Sequence, residues 1–417
     1  MLNIVIVSYY YEPYNIIASA RISSFSKYLS QRNNVTVITR SWSGTENGMK
    51  DIMQDNADHS VQQVTDNLKI IRLPFFAVVK KKGTYNYLVE KYNYYFGEFT
   101  DIPGIKENFE KPLTSYLREH RETDCIIYSC NPYQFIPMAA TLYKSLNIPF
   151  IIDFRDYISS AFLKREITFK QRLYKNIIGL RLLKQLKNAS ALITVSKPIQ
   201  KQLQKVFSGP IKVIYNGFEE AIMNDVKAVS QNGEFFQITY TGNINPEMNI
   251  DVFMTGLKNF CLNAKVKPML KAYFIGLSEE AKKRVQEYSQ NVDIVFLPWM
   301  PHKEVIRIAK SSSLLVYMGW QGYSGVFSGK IFDYLGLQRK IILAPGDNDV
   351  IERLILETNS GYVASHAKEV TNILSGLYNE WHTNRFVKFE DNWEKISVYS
   401  RKSQANKLEA FIKSAFK

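Results

Sequence analysis

Leu314-Leu-Val-Tyr-Met318 is a short apolar run, and the chain continues through Gly322-Tyr-Ser-Gly-Val-Phe-Ser-Gly-Lys-Ile-Phe-Asp-Tyr334, a glycine-containing loop that turns into a helical pattern. Strand, loop and helix in that order form half of a βαβ unit. The same alternation begins at the N-terminus, which predicts an α/β fold with parallel sheets. Before the quoted stretch we read strands at Leu2 to Val7, Val35 to Thr39, Lys69 to Leu73, Cys125 to Tyr128, Pro149 to Asp153, Ala191 to Val195 and Ile211 to Tyr215, with a helix from about Ser19 to Gln31. The Tyr-rich run Tyr85 to Phe96 fits no element.

Around Asn216-Gly217 a turn is expected, because Asn and Gly tolerate positive φ, and the polar segment Glu219 to Glu234 reads as a linker. A second alternating series follows, with strands at Phe235 to Thr241, Ala272 to Ile275, Val292 to Leu297, Leu314 to Met318 and Lys340 to Ala344. A length of 417 residues suits two domains. The expected boundaries are 1–220 for an N-terminal Rossmann-like domain and 221–399 for a C-terminal one, with a terminal helix over about 400–417 crossing back onto the first. Open parallel sheets bind ligands outside the carboxyl ends of their strands, so two of them are expected to face a central cleft.

Within the quoted loop the residue types suit a diphosphate. Gly325 and Gly329 permit close backbone approach, and Val326, Phe327 and Ser328 lie in the same cradle. Ser328 stands where a helix N-cap is needed, while the helix dipole and Lys330 supply positive charge. Asp333, one turn further on, can accept hydrogen bonds from a ribose diol. A capped helix that packs Ile331, Phe332 and Leu335 into a core, with Lys330 and Asp333 solvated, accounts for the same pattern.

The net charge is +14, from 53 Lys+Arg against 39 Asp+Glu, which favours polyanionic partners. Between Ala161 and Lys187 stand eight bases (Lys164, Arg165, Lys170, Arg172, Lys175, Arg181, Lys184, Lys187) and one acid, Glu166, interleaved with an aliphatic stripe. That helix, 161–187, reads as a contact with an anionic membrane surface or as a plain surface helix over a core, and Lys80-Lys-Lys82 together with the total charge favours the membrane. No nucleic-acid-binding module is recognisable. Cys125, Cys130 and Cys261 are too few for a disulfide framework and have no CxxC spacing, which suits a reducing compartment. Neither HExxH nor a paired Cys/His cluster appears, and Asp347-Asn348-Asp349 lies between a strand and a helix, where it reads as a turn and N-cap. With no apolar run of membrane-spanning length, the expected location is cytoplasmic.

Several segments, in order, resemble a glycosyltransferase of the GT-B fold: Tyr10-Tyr11-Glu12-Pro13 with Arg21, Asp153-Phe154-Arg155-Asp156, Ile193-Thr-Val-Ser196, Val213-Ile-Tyr-Asn-Gly-Phe218, Tyr240-Thr-Gly-Asn-Ile244, Phe296-Leu-Pro-Trp-Met300 and Ser328-Gly-Lys-Ile-Phe-Asp-Tyr334. The combination is similar to the retaining family four, in its branch that builds bacterial surface polysaccharides. The resemblance implies transfer of a hexose-type sugar from a nucleotide-diphosphate donor of UDP or GDP type to a saccharide acceptor, lipid-linked through a polyprenyl diphosphate. It implies no cofactor and no metal, and an enzyme peripheral to the inner face of the membrane.

The family's donor site carries two Glu residues separated by seven positions. Here the second falls on Asp333 and the first on Gly325, which has no side chain. After Gly242 many members place an Arg and a Lys, whereas this chain runs Asn243-Ile-Asn-Pro-Glu-Met-Asn249. Lys330 is then the expected main cation of the C-terminal domain on the diphosphate, with Arg21 as a supplement. Gly242, Asn243, Trp299 and Met300 are expected to border the donor, although Trp299 and Met300 suit a core or rim position equally. In the N-terminal domain, Asp153 or Asp156 can orient an acceptor hydroxyl. Arg155 can bind an acceptor phosphate or pair with a neighbouring carboxylate, and Ala18 and Ser19 can present N–H groups to a phosphate. Lys330, Asp333 and Asp156 are the expected catalytic groups. A nucleotide-sugar epimerase of the same architecture and a catalytically weak scaffold subunit are the alternatives.

Overall fold

The computed structural model describes residues 1–46, 51–77, 102, 104–155, 169, 184–226, 233–264, 269–289, 292–390 and 392–416. The chain divides into two compact units, Met1–Asn216 with Arg401–Lys417, and Gly217–Ser400.

In the first unit the described elements are β1 (Asn3–Ser8), α1 (Ile17–Leu29), β2 (Asn34–Arg40), β3 (Ser60–Thr65), β4 (Leu68–Leu73), α2 (Ile105–Glu119), β5 (Cys125–Cys130), α3 (Phe135–Leu146), β6 (Phe150–Phe154), β7 (Ala191–Thr194), α4 (Lys197–Leu203) and β8 (Ile211–Val213). The strands form one sheet in the order β3-β4-β2-β1-β5-β6-β7-β8. Every pairing is parallel except β3 with β4, a hairpin at the edge. The central strands read as continuous Val/Ile runs because both of their faces are covered. One face packs Val5, Val7, Ile126, Tyr128, Ile152 and Phe109, and the other packs Ile4, Ile6, Ile22, Phe25, Leu408 and Ile412.

The second unit contains α5 (Glu220–Asp225), β9 (Phe236–Thr241), α6 (Asp251–Ala264), β10 (Leu270–Ile275), α7 (Glu279–Gln286), β11 (Ile294–Leu297), α8 (His302–Lys310), β12 (Leu314–Tyr317), α9 (Gly329–Gly336), β13 (Lys340–Leu343), α10 (Val350–Glu357), β14 (Gly361–Val363), α11 (Ala367–Asn384) and α12 (Trp393–Ser397). Its sheet runs β11-β10-β9-β12-β13-β14, parallel throughout. This is the doubly wound Rossmann order, with its switch point between β9 and β12, so the loops after those two strands border the crevice where ligands bind.

The last helix, α13 (Arg401–Ala415), belongs to the first unit. Ala405, Leu408 and Ile412 fill the face shared with α1, and Gln404 Oε1 accepts the Tyr215 N–H at 2.7 Å. Glu409 is held by Lys413 at 2.7 Å and Arg32 at 2.6 Å.

Three segments differ from the sequence reading. The stretch read as a linker opens with α5, whose Met223 is buried and whose carbonyl, with that of Val226, accepts hydrogen bonds from Lys310 Nζ at 2.6 and 2.7 Å. Strand β3 and short β14 add to the two sheets; neither had been read from the sequence. The Tyr85 to Phe96 run, Lys80 to Lys82, and all of helix 161–187 apart from Phe169 and residues 184–187 lie outside the described residues.

Candidate functional site

In the second unit, two neighbouring strands end on backbone turned to close approach. Gly242 follows β9 with φ +87°, and its N–H donates to the Ile275 carbonyl at 2.8 Å. Gly276 follows β10 with φ +80°, and a Cβ added there would stand 4.0 Å from the Cα atoms of both Gly242 and Trp299. Both conformations are in the left-handed region that favours glycine. Asn243 Oδ1 accepts the Ser278 N–H at 2.9 Å, tying the loop after β9 to the start of α7. Trp299, after β11, is 68% exposed, so it is a rim residue and not a core one, and Met300 beside it is half-buried.

The loop between β12 and α9 is fixed by a buried carboxylate from the neighbouring β13–α10 loop. Asp349 Oδ2 accepts the Gly325 N–H at 2.6 Å and the Ser324 hydroxyl at 2.9 Å, and its Oδ1 accepts from Arg353 at 3.1 Å. Gly325 has φ +75°. Val326 and Phe327 are half-buried, with Phe327 against Phe332 at 5.4 Å between ring centroids. Asp347, in the same loop as Asp349, accepts the N–H groups of Asp349, Ile351 and Glu352 at 3.0 to 3.2 Å. The Asp347-Asn348-Asp349 run is thus a helix-capping turn whose last carboxylate reaches across to Gly325.

Ser328 occupies the N-cap position of α9 with extended backbone, yet its side chain makes no capping bond. Its hydroxyl is within 2.9 Å of Tyr317 Oη instead, which corrects the expected capping role. The first-turn amides of α9 therefore have no side-chain cap from Ser328, and a helix start in that state suits an anion.

Lys330 Nζ donates to Tyr240 Oη at 2.7 Å, stands 4.0 Å from the centroid of that ring and 5.7 Å from the Tyr317 ring. A Cβ on Gly242 would lie 3.6 Å from the same nitrogen. Among the described residues Lys330 makes no ion pair, and burial among phenol rings pushes its pKa down to about 7. Burial likewise raises the hydroxyl of Tyr317 to about 12 and holds Tyr240 well above its ordinary value, so both phenols stay neutral at physiological pH. Tyr334 is fixed by Thr241, whose N–H and hydroxyl both lie 3.0 Å from its Oη. Asp333 is largely buried, and its Oδ2 lies 2.8 Å from His302 Nε2. Gly242, Gly325, Ser328, Gly329 and Lys330 are thus brought to one end of the sheet. Sequence reasoning missed His302, Gly276 and the reach of Asp349, since each acts across a loop with no local spacing to announce it.

The N-terminal candidates behave differently. Arg21 Nε and Nη2 bind both carboxylate oxygens of Asp153 at 2.9 Å, and Nη1 donates to the Ile214 and Tyr215 carbonyls at 2.9 and 3.1 Å. Both side chains are 0% exposed, with the guanidinium 4.6 Å over the Phe25 ring. A bidentate, fully desolvated pair of this kind leaves neither group able to meet a ligand, so Arg21 as a phosphate contact and Asp153 as an acceptor contact are corrected to structural roles. Among the described residues Arg155 pairs with no carboxylate; it donates to the carbonyls of Cys130 and Asn131 at 3.3 and 3.0 Å. Ala18 and Ser19 lie buried inside the first turn of α1, not ahead of it. The Ser19 hydroxyl has no hydrogen-bond partner among the described residues. Asp156 lies outside the described residues.

No protein-family model matches the sequence, and no curated protein matches it. Among solved structures, the chain is similar along its full length to sucrose-phosphate synthase from Thermosynechococcus elongatus (14% identity, TM-score 0.63, covering 100% of this chain and 99% of that one). It is similar also to α,α-trehalose 6-phosphate synthase from Burkholderia multivorans (9%, 0.63, 99% of each chain). A third likeness is to the Anabaena protein HepE in complex with UDP and glucose (12%, 0.59, 99% of this chain and 100% of that one). At these identities the likeness speaks to architecture: two Rossmann-like units in succession, the GT-B fold.

Proposed function

We propose that the chain is a retaining glycosyltransferase of family four that moves a hexose-type sugar from a nucleotide-diphosphate donor, of UDP or GDP type, to a saccharide acceptor. The observation that carries this reading is the Lys330 ammonium, resting on a neutral phenol and without an ion pair among the described residues, beside the glycine turn at Gly242 and in the first turn of α9, a concentration of positive potential at a Rossmann switch point. The solved relatives in fold include sugar-phosphate synthases and a protein holding UDP and glucose, which supports a nucleotide-sugar donor.

In this reading the α9 amides and Lys330 bind the diphosphate, Asp333 accepts the ribose hydroxyls, and Trp299 and Met300 border the base. As the glycosidic bond to the diphosphate breaks, negative charge grows on the leaving oxygens. Donors already fixed at that place stabilise it without reorganisation. The acceptor hydroxyl attacks from the face the diphosphate leaves and passes its proton to the departing diphosphate oxygen, so configuration is retained and no protein nucleophile is needed. The acceptor in this proposal is lipid-linked, as in surface-polysaccharide synthesis, and the basic stretch 161–187 brings the enzyme to an anionic membrane. Incubation with UDP- and GDP-hexoses and a polyprenyl-diphosphate saccharide, followed by NMR of the new linkage, tests the activity. A product with the donor's anomeric configuration supports the reading, and absence of transfer from every donor contradicts it.

A further inference from the structure

His302 is the first residue of α8 and Asp333 the fifth of α9; their side chains meet at 2.8 Å although 31 positions separate them. An ionised carboxylate has only acceptor sites, so His302 Nε2 carries the hydrogen and donates it to Asp333 Oδ2. The neighbouring charges of α8 are engaged elsewhere, Lys303 with Asp225 and Glu304 with Arg307. On α9, Lys330 and Asp333 stand three residues apart and so share a face. One helix thus supplies both a cation suited to a diphosphate and an acceptor suited to a diol, the first resting on Tyr240 and the second on His302. A carboxylate offers about four lone-pair positions. His302 uses one, and among the described residues no other side chain takes the rest, which leaves them for two sugar hydroxyls.

Resting on the reading of α9 as the nucleotide-diphosphate site, we infer that His302 is a positioning residue: it holds the Asp333 carboxylate in the orientation that accepts both ribose hydroxyls. The His302–Asp333 pair, not Asp333 alone, selects ribonucleotides over their deoxy counterparts. Aspartate has one methylene fewer than glutamate and must be aimed from a fixed rotamer to engage two hydroxyls together, which is the work assigned to the imidazole.

The test compares the dissociation constants of UDP and 2′,3′-dideoxy-UDP, and of the corresponding guanine pair, by calorimetry on the full chain and on folded His302→Ala, His302→Gln and Asp333→Ala variants. The native protein should prefer the ribonucleotide by about tenfold or more, the scale of hydrogen bonds to a charged group. Asp333→Ala should bring the ratio to about one, His302→Ala should lower it at least about threefold, and His302→Gln, whose amide can still donate, should restore it. An unchanged ratio in His302→Ala, with the ratio abolished in Asp333→Ala, overturns the positioning role and leaves the site reading standing. An unchanged ratio in Asp333→Ala, or no binding of either nucleotide to the native protein, overturns the site reading and this inference with it.

Discussion

Lys330 Nζ rests 2.7 Å from Tyr240 Oη and within cation–π distance of the same ring, a neutral partner where an ion pair would be usual. A phenol and its π face compensate an ammonium only partly for lost water. The charge is therefore held ready for an anion, and the low pKa of about 7 is the cost of holding it there.

For the proposed diphosphate site, that arrangement predicts binding that depends on pH in a defined direction. Because an anion beside the ammonium raises its pKa, the bound value lies above the free value of about 7. Affinity is then full below about pH 7 and falls as pH rises above it, by up to about tenfold per unit, until the bound-state pKa is passed. Calorimetry from pH 7 to 9.5 in buffers of differing ionisation enthalpy should show proton uptake on binding. Lys330→Arg should remove the dependence, and a flat profile in the native protein would rule the mechanism out.

Asp349 is expected to govern the shape of the loop before α9. Asp349→Ala removes the acceptor for the Gly325 N–H and the Ser324 hydroxyl, and leaving such groups unpaired costs about 1 to 3 kcal/mol. Thermal unfolding should drop and nucleotide affinity should weaken together. Asp349→Asn, which keeps one acceptor oxygen, should recover part of both. Native affinity in Asp349→Ala would show that the loop is not held by this carboxylate.

The Arg21–Asp153 pair has a structural consequence. Breaking one side of a buried pair strands the other charge, at about 3 to 5 kcal/mol. Arg21→Met should lower the urea midpoint accordingly, and Arg21→Met with Asp153→Leu should regain most of the loss. Nucleotide affinity of the folded single variant should stay native; a tenfold weakening would return Arg21 to the ligand site.

The proposed membrane association is carried by the charge of the 161–187 stretch. Replacing Lys175 and Arg181 with Glu should reduce binding to phosphatidylglycerol vesicles while sparing nucleotide binding. Vesicle binding at native strength would remove this stretch from the interface.

The sequence carried the fold where local patterns are strong. Buried central strands such as Ile4 to Val7 read as continuous β-branched runs, and the glycine-rich entry to α9 reads as strand, loop and helix. Strand β3 escaped because all six of its residues are exposed, leaving no buried face to mark a period. Its hairpin with β4 is held by backbone pairing. In the candidate site, Lys330, Asp333 and the glycines were legible because one segment contains them. The contacts of Asp349 with Gly325 and of His302 with Asp333 were not, since they span 24 and 31 positions and depend on sheet order. Arg21 was misread for the same reason: its partner is 132 positions away, and pairing converts an apparent ligand group into a core one.

The most direct test of the central claim is calorimetric titration of the native chain and of a folded Lys330→Ala variant with UDP, GDP and ADP. The account predicts saturable binding of one nucleotide family to the native chain and a loss of about 1.5 to 3 kcal/mol in the variant, the range for a hydrogen bond to a charged group. Equal affinity in both proteins, or no binding to either, would contradict it.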